Sequence, residues 1–323
     1  MIPNIYVPDL KLGALTLHPF GLLVATGVII GTWLATWRAR QRGLDLDKLN
    51  SFITWMLIAG FLGGHMLDQI FYHPHEIVKR PWSLFLLWEG LSSFGGFVGG
   101  LIGVVLWKFF YAVPIKRTPF FTISKYKKRA EPLPIMPFCD LILSVFPVAW
   151  IFGRSGCSVV HDHQGMRAPV GTLLAVAFGV PDPARTVHLG PIEFRYGNAP
   201  HFDLGLLEML FTCVLAAMFA LTWRKKLPTG SYIAAVALAY APVRFAMDFL
   251  RLRDGETSDP RYGNLTPAQW ACIALFVFGL VMVAVIRRNI QRGVDPLEKV
   301  TLQPGKEGED EASSEPPVAS QGA

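Results

Sequence analysis

Seven long apolar stretches dominate the chain between residues 14 and 286. They lie at 14–37, 51–72, 84–107, 134–154, 202–223, 230–250 and 267–286. A helix needs about 20 consecutive apolar residues to cross the hydrocarbon core, and it pairs its own backbone polar groups there. We therefore predict an all-α, polytopic membrane protein with seven transmembrane helices. The first stretch has no basic start and no small-residue cleavage site, so we expect a span rather than a cleaved signal peptide.

Basic residues are concentrated in alternate connecting segments. They follow the first, third, fifth and seventh stretches as Arg38, Arg40, Arg42, Lys48, Lys116, Arg117, Lys125, Lys127, Lys128, Arg129, Arg224, Lys225, Lys226, Arg287, Arg288 and Arg292. Cytoplasmic loops retain Lys and Arg, so we predict the N-terminus outside and the C-terminus in the cytoplasm. The basic 110–133 loop is then positioned to contact anionic lipid.

Composition divides the chain into two parts. Residues 1–292 form the predicted transmembrane domain, in which 156–201 is a long loop segment on the outer side. Residues 293–323 are acidic and rich in Pro, Gly, Ser and Glu, which predicts a disordered tail. Walker, Rossmann and zinc-finger patterns are absent from the sequence, as is an internal repeat. We expect no cofactor and no nucleic-acid partner.

Arg154 is the most informative single residue because it ends an apolar run. A charged side chain at the centre of a membrane helix costs roughly 2.5–3.5 kcal/mol on insertion scales unless it is paired or hydrated. Arg244 lies at the edge of another apolar run. One interpretation is that such arginines only mark the water interface. Two of them in one chain favour a site for an anionic headgroup.

A group of polar residues follows Arg154. His161, Asp162 and His163 come within nine residues of it, and Cys157 lies between. The i, i+2 spacing of the histidines gives no helical chelate and no cysteine pair joins them, so we expect no metal. Asp140 precedes Arg154 by about four helical turns, ~21 Å, and so needs another partner.

Small and polar residues mark the second and third stretches. Gly95, Gly99 and Gly103 repeat every four residues, which favours close helix packing. The 92–96 segment is also open to a second interpretation, a helix break that turns backbone N–H groups toward a ligand. His65 and Asp68 lie one turn apart and are interpreted mainly as structural polar contacts.

These motifs together resemble the phosphatidylglycerol–prolipoprotein diacylglyceryl transferases. The resemblance spans about residues 14–290 and rests on six segments: His18-Pro19-Phe20-Gly21, Gly63-Gly64-His65, Trp88 to Gly96, Asp140 to Gly165, the Tyr240, Arg244 and Asp248 series, and Thr266 to Trp270. It implies a multi-pass enzyme of the bacterial inner membrane. Such an enzyme moves diacylglyceryl from phosphatidylglycerol to the lipobox cysteine thiol of prolipoproteins. Its expected partners are phosphatidylglycerol, the signal peptides of prolipoproteins and the lipid bilayer.

The resemblance also implies site residues. Arg154 and Arg244 would hold the lipid phosphate, with Asp162 or His161 as the catalytic base. The substrate-binding candidates are Asp140, Cys157, Gly165, Tyr240, Asp248, Ser93, Gly95 and Gly96.

This chain departs from the family pattern at several of these positions. Gly95 stands where the family has a functional histidine, Cys157 where it has asparagine, and Asp162 and Asp248 where it has glutamate. A family His…Glu motif is reduced to His201 and Glu208. We predict that His161 or His163 takes over the role of the missing histidine.

Other function classes remain open on sequence grounds. One is a catalytically silent homologue that binds lipid or lipoprotein, and another is an enzyme with the same donor but a different acceptor. A small-solute transporter also carries intramembrane charges, but it would more often show matching broken helices in two halves.

Overall fold

The computed structural model describes residues 1–13, 15–86, 90–117, 122–169, 171–252 and 261–301. Trp88, part of the third-stretch motif, and most of the predicted disordered tail lie outside the described residues. The described chain forms two compact units. The first contains residues 1–35 and 139–295, and the second contains residues 36–138 together with the chain from 296 onward.

Helices account for most of the described chain. They are α1 (Pro19–Gln41), α2 (Leu46–Tyr72), α3 (Pro74–Lys79), α4 (Ser93–Phe109), α5 (Met136–Val160), α6 (Leu204–Thr222), α7 (Ser231–Met247) and α8 (Pro267–Gln291). A 3₁₀ turn at Asp248–Leu250 continues α7. Within the described residues, five helices are long and apolar enough to cross a bilayer: α1, α5, α6, α7 with its 3₁₀ turn, and α8. The prediction of a helical membrane protein is confirmed.

The second and third predicted spans differ from the other five. The second is α2, a 27-residue helix that is capped by Asp45 and carries Asp47 in its first turn. The third is shorter than predicted, because a 3₁₀ helix occupies Pro81–Phe85 and α4 begins only at Ser93. At 17 residues, α4 is at the lower limit for a helix that crosses the membrane.

The all-α prediction is incomplete, since the structure also contains strands. A six-stranded sheet has the order β6-β10-β7-β1-β9-β8. Its strands are β1 (Ile2–Tyr6), β6 (Gln164–Arg167), β7 (Ala175–Pro181), β8 (Val187–Leu189), β9 (Ile192–Arg195) and β10 (Gly197–Asp203). Four of them, together with most of β10, therefore lie in the region interpreted as a long loop (156–201). β1 from the N-terminus runs parallel to β7 and antiparallel to β9, a pairing that short-range patterns do not indicate.

Two hairpins complete the described strands. β2 (Leu10–Leu12) pairs with β3 (Leu15–Leu17), and β4 (Phe110–Arg117) pairs with β5 (Thr122–Lys128). The second hairpin carries the basic residues of the 110–133 loop. Residues 293–301 of the predicted tail are ordered in part: Thr229 donates to Asp295 at 2.7 Å, and a 3₁₀ turn spans Pro296–Lys299.

Glycines bring α2 and α4 together in the second unit. A Cβ on Gly63 would lie 2.6 Å from the Cα of Gly99, and one on Gly95 would lie 2.5 Å from the carbonyl oxygen of Gly63. Only glycine permits backbones to approach this closely. Gly95 is therefore a packing residue, and α2 occupies the space beside it.

His65 in α2 is fully buried and serves the fold. Its Nε2 lies 3.0 Å from the carbonyl oxygen of Ser83, and its Nδ1 lies 3.2 Å from that of Gly90. The ring thus holds both ends of the segment that leads into α4. This placement agrees with the structural interpretation of the histidine.

Candidate active site

A buried carboxylate, Glu208 on α6, is the centre of a polar cluster in the first unit. Its side chain is 3% exposed. Its Oε1 accepts hydrogen bonds from the Tyr240 hydroxyl at 2.6 Å and from Trp150 Nε1 at 3.1 Å. Burying a charge is costly unless hydrogen bonds and opposite charges compensate for lost hydration. Glu208 has both.

Close backbone contact brings Glu208 beside α5. A Cβ on Gly205, one turn earlier in α6, would lie 2.9 Å from the backbone nitrogen of Ser158. The absence of a side chain at Gly205 therefore lets α6 approach the end of α5. Asp203 starts α6 by accepting the Leu206 N–H at 2.9 Å. Together these contacts fix where the helix begins and how near it lies to Arg154.

Arg154 on α5 is the nearest cation to Glu208. Its Nε lies 2.9 Å from Oε1 of Glu208, an ion pair without the alignment of a hydrogen bond. Its Nη1 donates to Cys157 Sγ at 3.6 Å, and the guanidinium lies 4.8 Å from the Trp150 ring centroid. A planar guanidinium can stack and form ion pairs at the same time, whereas an ammonium presents a point charge.

Arg244 on α7 approaches the same carboxylate from another direction. Its Nε lies 3.8 Å from Oε2 of Glu208, and its Nη1 donates to Asp248 Oδ1 at 3.0 Å. Tyr240, Arg244 and Asp248 are spaced by four, so they share one face of the helix. Two arginines separated by ninety positions in the sequence thus meet at Glu208.

Asp248 links the end of α7 to the start of α8. Its carboxylate is fully buried and accepts a hydrogen bond from the Thr266 hydroxyl. Thr266 and Gln269 form a reciprocal capping box at the start of α8. Arg251 Nε lies 3.9 Å from Asp248 Oδ1.

We call Arg154, Glu208, Tyr240, Arg244, Asp248 and Arg251 the arginine–carboxylate cluster. It contains three guanidinium groups and two carboxylates, with Tyr240 neutral. The formal charge of the cluster is therefore positive, three cationic groups against two anionic ones. In surroundings of low dielectric constant, this excess of positive charge attracts an anion. Arginine also binds phosphate oxygens in a bidentate manner.

His161 is held in place through both of its ring nitrogens. Nδ1 lies 2.9 Å from Asp203 Oδ2, and Nε2 lies 3.3 Å from the carbonyl oxygen of Ile5. Both ring nitrogens therefore face oxygen atoms of the protein, so the imidazole is engaged on both sides. In this arrangement His161 positions the chain, and a role as catalytic base would require it to leave both partners.

Cys157, Asp162 and His163 form a second group close to Arg154. One ligand-type atom from each of the three lies within 4.8 Å of the other two. His163 Nδ1 is 3.4 Å from Asp162 Oδ1. The histidines His161 and His163 do not act together here, because His161 is turned toward Asp203.

The other predicted site residues lie in several places. Asp140 accepts the backbone N–H groups of Tyr232 and Ile233 at 2.7 and 3.1 Å, and so caps α7, which is the partner that it lacked in the sequence. A Cβ on Gly165 would lie 2.7 Å from the carbonyl oxygen of Leu250.

Ser93, Gly95 and Gly96 belong to the second unit, at the start of α4. There the Ser92 hydroxyl accepts the Gly95 N–H at 3.3 Å and caps the helix.

Comparison with known proteins gives a consistent result. Residues 9–285 match the family model described as prolipoprotein diacylglyceryl transferase. The chain belongs to the prolipoprotein diacylglyceryl transferase family. It is similar to proteins named phosphatidylglycerol--prolipoprotein diacylglyceryl transferase from three bacteria. Identity is 28% with that of Nitratidesulfovibrio vulgaris (86% of this chain, 92% of the relative), 28% with that of Escherichia fergusonii (88% and 94%) and 29% with that of Klebsiella pneumoniae (86% and 92%).

Two residues of the cluster region are not evident from the sequence motifs alone. Glu208 appears there only as part of a shortened motif, although a lone acid in the apolar run 204–222 is itself a signal of function. Trp150, which lies one helical turn before Arg154, supplies both a hydrogen bond and an aromatic face. Asp203, which fixes both His161 and α6, gave no sequence signal.

Proposed function

We propose that this chain transfers the diacylglyceryl group of phosphatidylglycerol to the lipobox cysteine thiol of prolipoproteins in the bacterial inner membrane. Membership of the family and the similarly named relatives support this activity. The observation that carries it is the meeting of Arg154 and Arg244 at Glu208, within helices that are able to span a bilayer. An anionic lipid headgroup matches the charge and the location of that cluster.

We also propose the seven-span topology, with the N-terminus outside and the C-terminus cytoplasmic. Five long apolar helices support it, and α2 and α4 lie where the remaining two spans are expected. Its orientation rests on the basic residues of alternate loops. The six-stranded sheet is then on the outer side, where the prolipoprotein arrives.

In this proposal Arg154 and Arg244 hold the headgroup phosphate. Each already lies beside a carboxylate, so the entering phosphate oxygens compete with Glu208 and Asp248 for guanidinium N–H groups. The hydrogen bonds from Tyr240 and Trp150 keep Glu208 in place as this exchange occurs. The pre-formed cluster thereby limits the reorganisation that binding requires.

The proposed reaction then forms one bond and breaks another. The thiolate sulfur of the acceptor attacks the phosphate-bearing carbon of the glycerol unit that carries the two acyl chains. A C–S bond forms, the C–O bond breaks, and glycerol phosphate leaves with an additional negative charge that the arginines stabilise. The thiol proton passes to a base, because the thiolate is the nucleophile.

Among the sequence candidates His161, Asp162 and His163, we propose Asp162 as the base. Its side chain is 42% exposed and lies near Cys157 and His163, whereas both ring nitrogens of His161 are engaged. An exposed carboxylate can receive a proton and pass it to water. Cys157, Gly165, Tyr240 and Asp248 are proposed to shape the surroundings of the headgroup, and Asp140 to position α7.

Transfer by the purified full chain tests this function. Vesicles that contain phosphatidylglycerol are mixed with a lipobox peptide, and the mass gain of the peptide is measured. We expect the diacylglyceryl mass gain, and none with vesicles of phosphatidylcholine alone. In parallel, the gene is expected to restore growth and the lipoprotein mobility shift in a conditional strain that lacks the family enzyme.

A catalytically silent homologue is the second candidate, and Gly95 favours it, because the family histidine is missing there and α2 leaves no space for one. Such a protein would bind phosphatidylglycerol vesicles but leave the peptide mass unchanged. If complementation also fails, lipid binding without transfer becomes the proposed function of this chain.

A further inference from the structure

The end of α5 and the turn after it bring three metal-ligating side chains together. Cys157 lies in the last turns of the helix, which ends at Val160. His161 then adopts a left-handed conformation with φ 54°, which reverses the chain. As a result Asp162 and His163 fold back toward the thiol, and one ligand-type atom from each residue lies within 4.8 Å of the others.

We propose that Cys157, Asp162 and His163 bind a divalent transition metal of the Zn²⁺ class. Thiolate, imidazole and carboxylate are the ligands that zinc takes in proteins. With bonds of about 2.0–2.3 Å, ligand atoms of a tetrahedral zinc site lie roughly 3.3–3.7 Å apart. Contraction by about 1 Å completes the site, and the side chains of Asp162 and His163 are exposed enough to make that movement.

Within the ligand set itself, a thiolate and a carboxylate together balance the charge of one divalent cation. Arg154 Nη1 donates to Cys157 Sγ at 3.6 Å, an outer hydrogen bond of the kind that orients metal ligands. Three protein ligands leave one coordination position open to water or an anionic oxygen, as in zinc sites that are not purely structural.

His161 is the positioning residue of the metal site. Its contacts with Asp203 and with the Ile5 carbonyl oxygen fix the turn that carries Asp162 and His163. The site therefore depends on contacts from the N-terminal strand and from the cap of α6.

The metal site does not depend on the proposed transferase function. It does interact with that function, since a bound metal occupies the carboxylate that is proposed as the base. Metal binding is therefore measured directly and without lipid substrate, so that failure of the metal site and failure of transfer are separate results.

The experiment uses the detergent-purified full chain, prepared with a tag that contains no histidine. Zinc chloride or cobalt chloride is added alone, followed by gel filtration and elemental analysis. We expect about one equivalent of zinc per chain. Cobalt is expected to give a near-ultraviolet thiolate-to-metal charge-transfer band, which reports a sulfur ligand without any substitution.

Matched variants locate the site. Cys157→Ser and His163→Ala are expected to weaken zinc affinity at least about 100-fold, since even outer-shell changes cost 10–100-fold. Cys213→Ser and His188→Ala remove the same residue types elsewhere and are expected to bind as the parent does. Absence of the cobalt charge-transfer band in the parent chain would overturn the proposal. Equal zinc affinity of Cys157→Ser and Cys213→Ser would also overturn it.

Discussion

At the scale of the residue, the function proposed for this chain depends on how a few buried charges are paired. Glu208 is compensated by two hydrogen bonds and two arginines, and it keeps those arginines fixed in a medium where each charge is costly. In the proposed function, a phosphate group replaces this carboxylate as the partner of the guanidinium groups. Arg154 and Arg244 would then both stabilise the fold and bind the lipid headgroup.

Arg154→Ala is predicted to reduce transfer at least about 100-fold, because loss of one preorganised donor to developing charge costs 10²–10³ in rate. Arg154→Lys is expected to be severely impaired too, since an ammonium cannot stack on Trp150 and form a fork to phosphate. Peptide mass gain per unit of folded protein measures both. Arg224→Ala, outside the cluster, is the control, and parent-level turnover in Arg154→Ala would remove Arg154 from the mechanism.

His161→Ala and His163→Ala are predicted to differ in kind. Removal of His161 takes away the contact at Oδ2 of the fully buried Asp203, and loss of a hydrogen-bond partner by a buried polar group costs about 1–3 kcal/mol. His161→Ala should therefore lower the thermal unfolding temperature markedly in detergent. His163 has no such buried partner among the described residues, so His163→Ala should unfold close to the parent temperature. Unchanged unfolding of His161→Ala would contradict the positioning role.

At the scale of the element, close contacts between helices decide what the glycines do. Gly95, Gly63 and Gly99 let α2 and α4 meet at backbone distance, while Gly205 lets α6 meet α5. The first contact leaves no room for a larger side chain at Gly95. The second brings Glu208 to Arg154.

Gly95→His is consequently predicted to destabilise the chain and not to restore activity to either histidine variant. Overpacking costs typically 1–3 kcal/mol, and here the obstructing atom is a backbone oxygen, which cannot rotate away. Gly21→Ala is the matched control, because a Cβ there would meet nothing within 4 Å. Thermal unfolding compares the two. A Gly95→His protein as stable as Gly21→Ala would show that α2 and α4 separate easily.

At the scale of the whole molecule, the proposed orientation in the membrane rests on charge distribution and hydropathy. The β4–β5 hairpin carries the basic residues of one loop, and the six-stranded sheet contains the segment interpreted as the outer loop. These two regions are on opposite sides in the proposed topology. The sheet includes β1, so the N-terminus belongs to the same side as β6–β10.

Topology is tested by single cysteines introduced at exposed positions of these two regions. In sealed cells, Val180→Cys in the sheet region is predicted to react with a membrane-impermeant maleimide, and Lys125→Cys in the hairpin only after lysis. The parent chain supplies the background signal from its four cysteines. Labelling of Lys125→Cys in sealed cells would reverse the orientation.

The sequence alone determined the class of the protein and the positions of five long apolar helices, and it singled out the two arginines that meet at Glu208. These follow from local properties: about 20 apolar residues make a span, and a charge at the end of such a run is costly. It also indicated the shared face of Tyr240, Arg244 and Asp248, because helical spacing is local. It did not determine the sheet, since β1 pairs with strands far along the chain.

Tertiary structure decided which polar groups meet. Only the approach of α6 to α5 makes Glu208 the partner of Arg154, and only the Asp203 and Ile5 contacts occupy His161. Likewise, the sequence indicates that Asp140 requires a polar partner, but it does not identify that partner as the backbone N–H groups at the start of α7. The physical reason is the same in each case: hydrogen bonds and ion pairs act over a few ångströms, so residues far apart in sequence acquire roles only when packing brings them together.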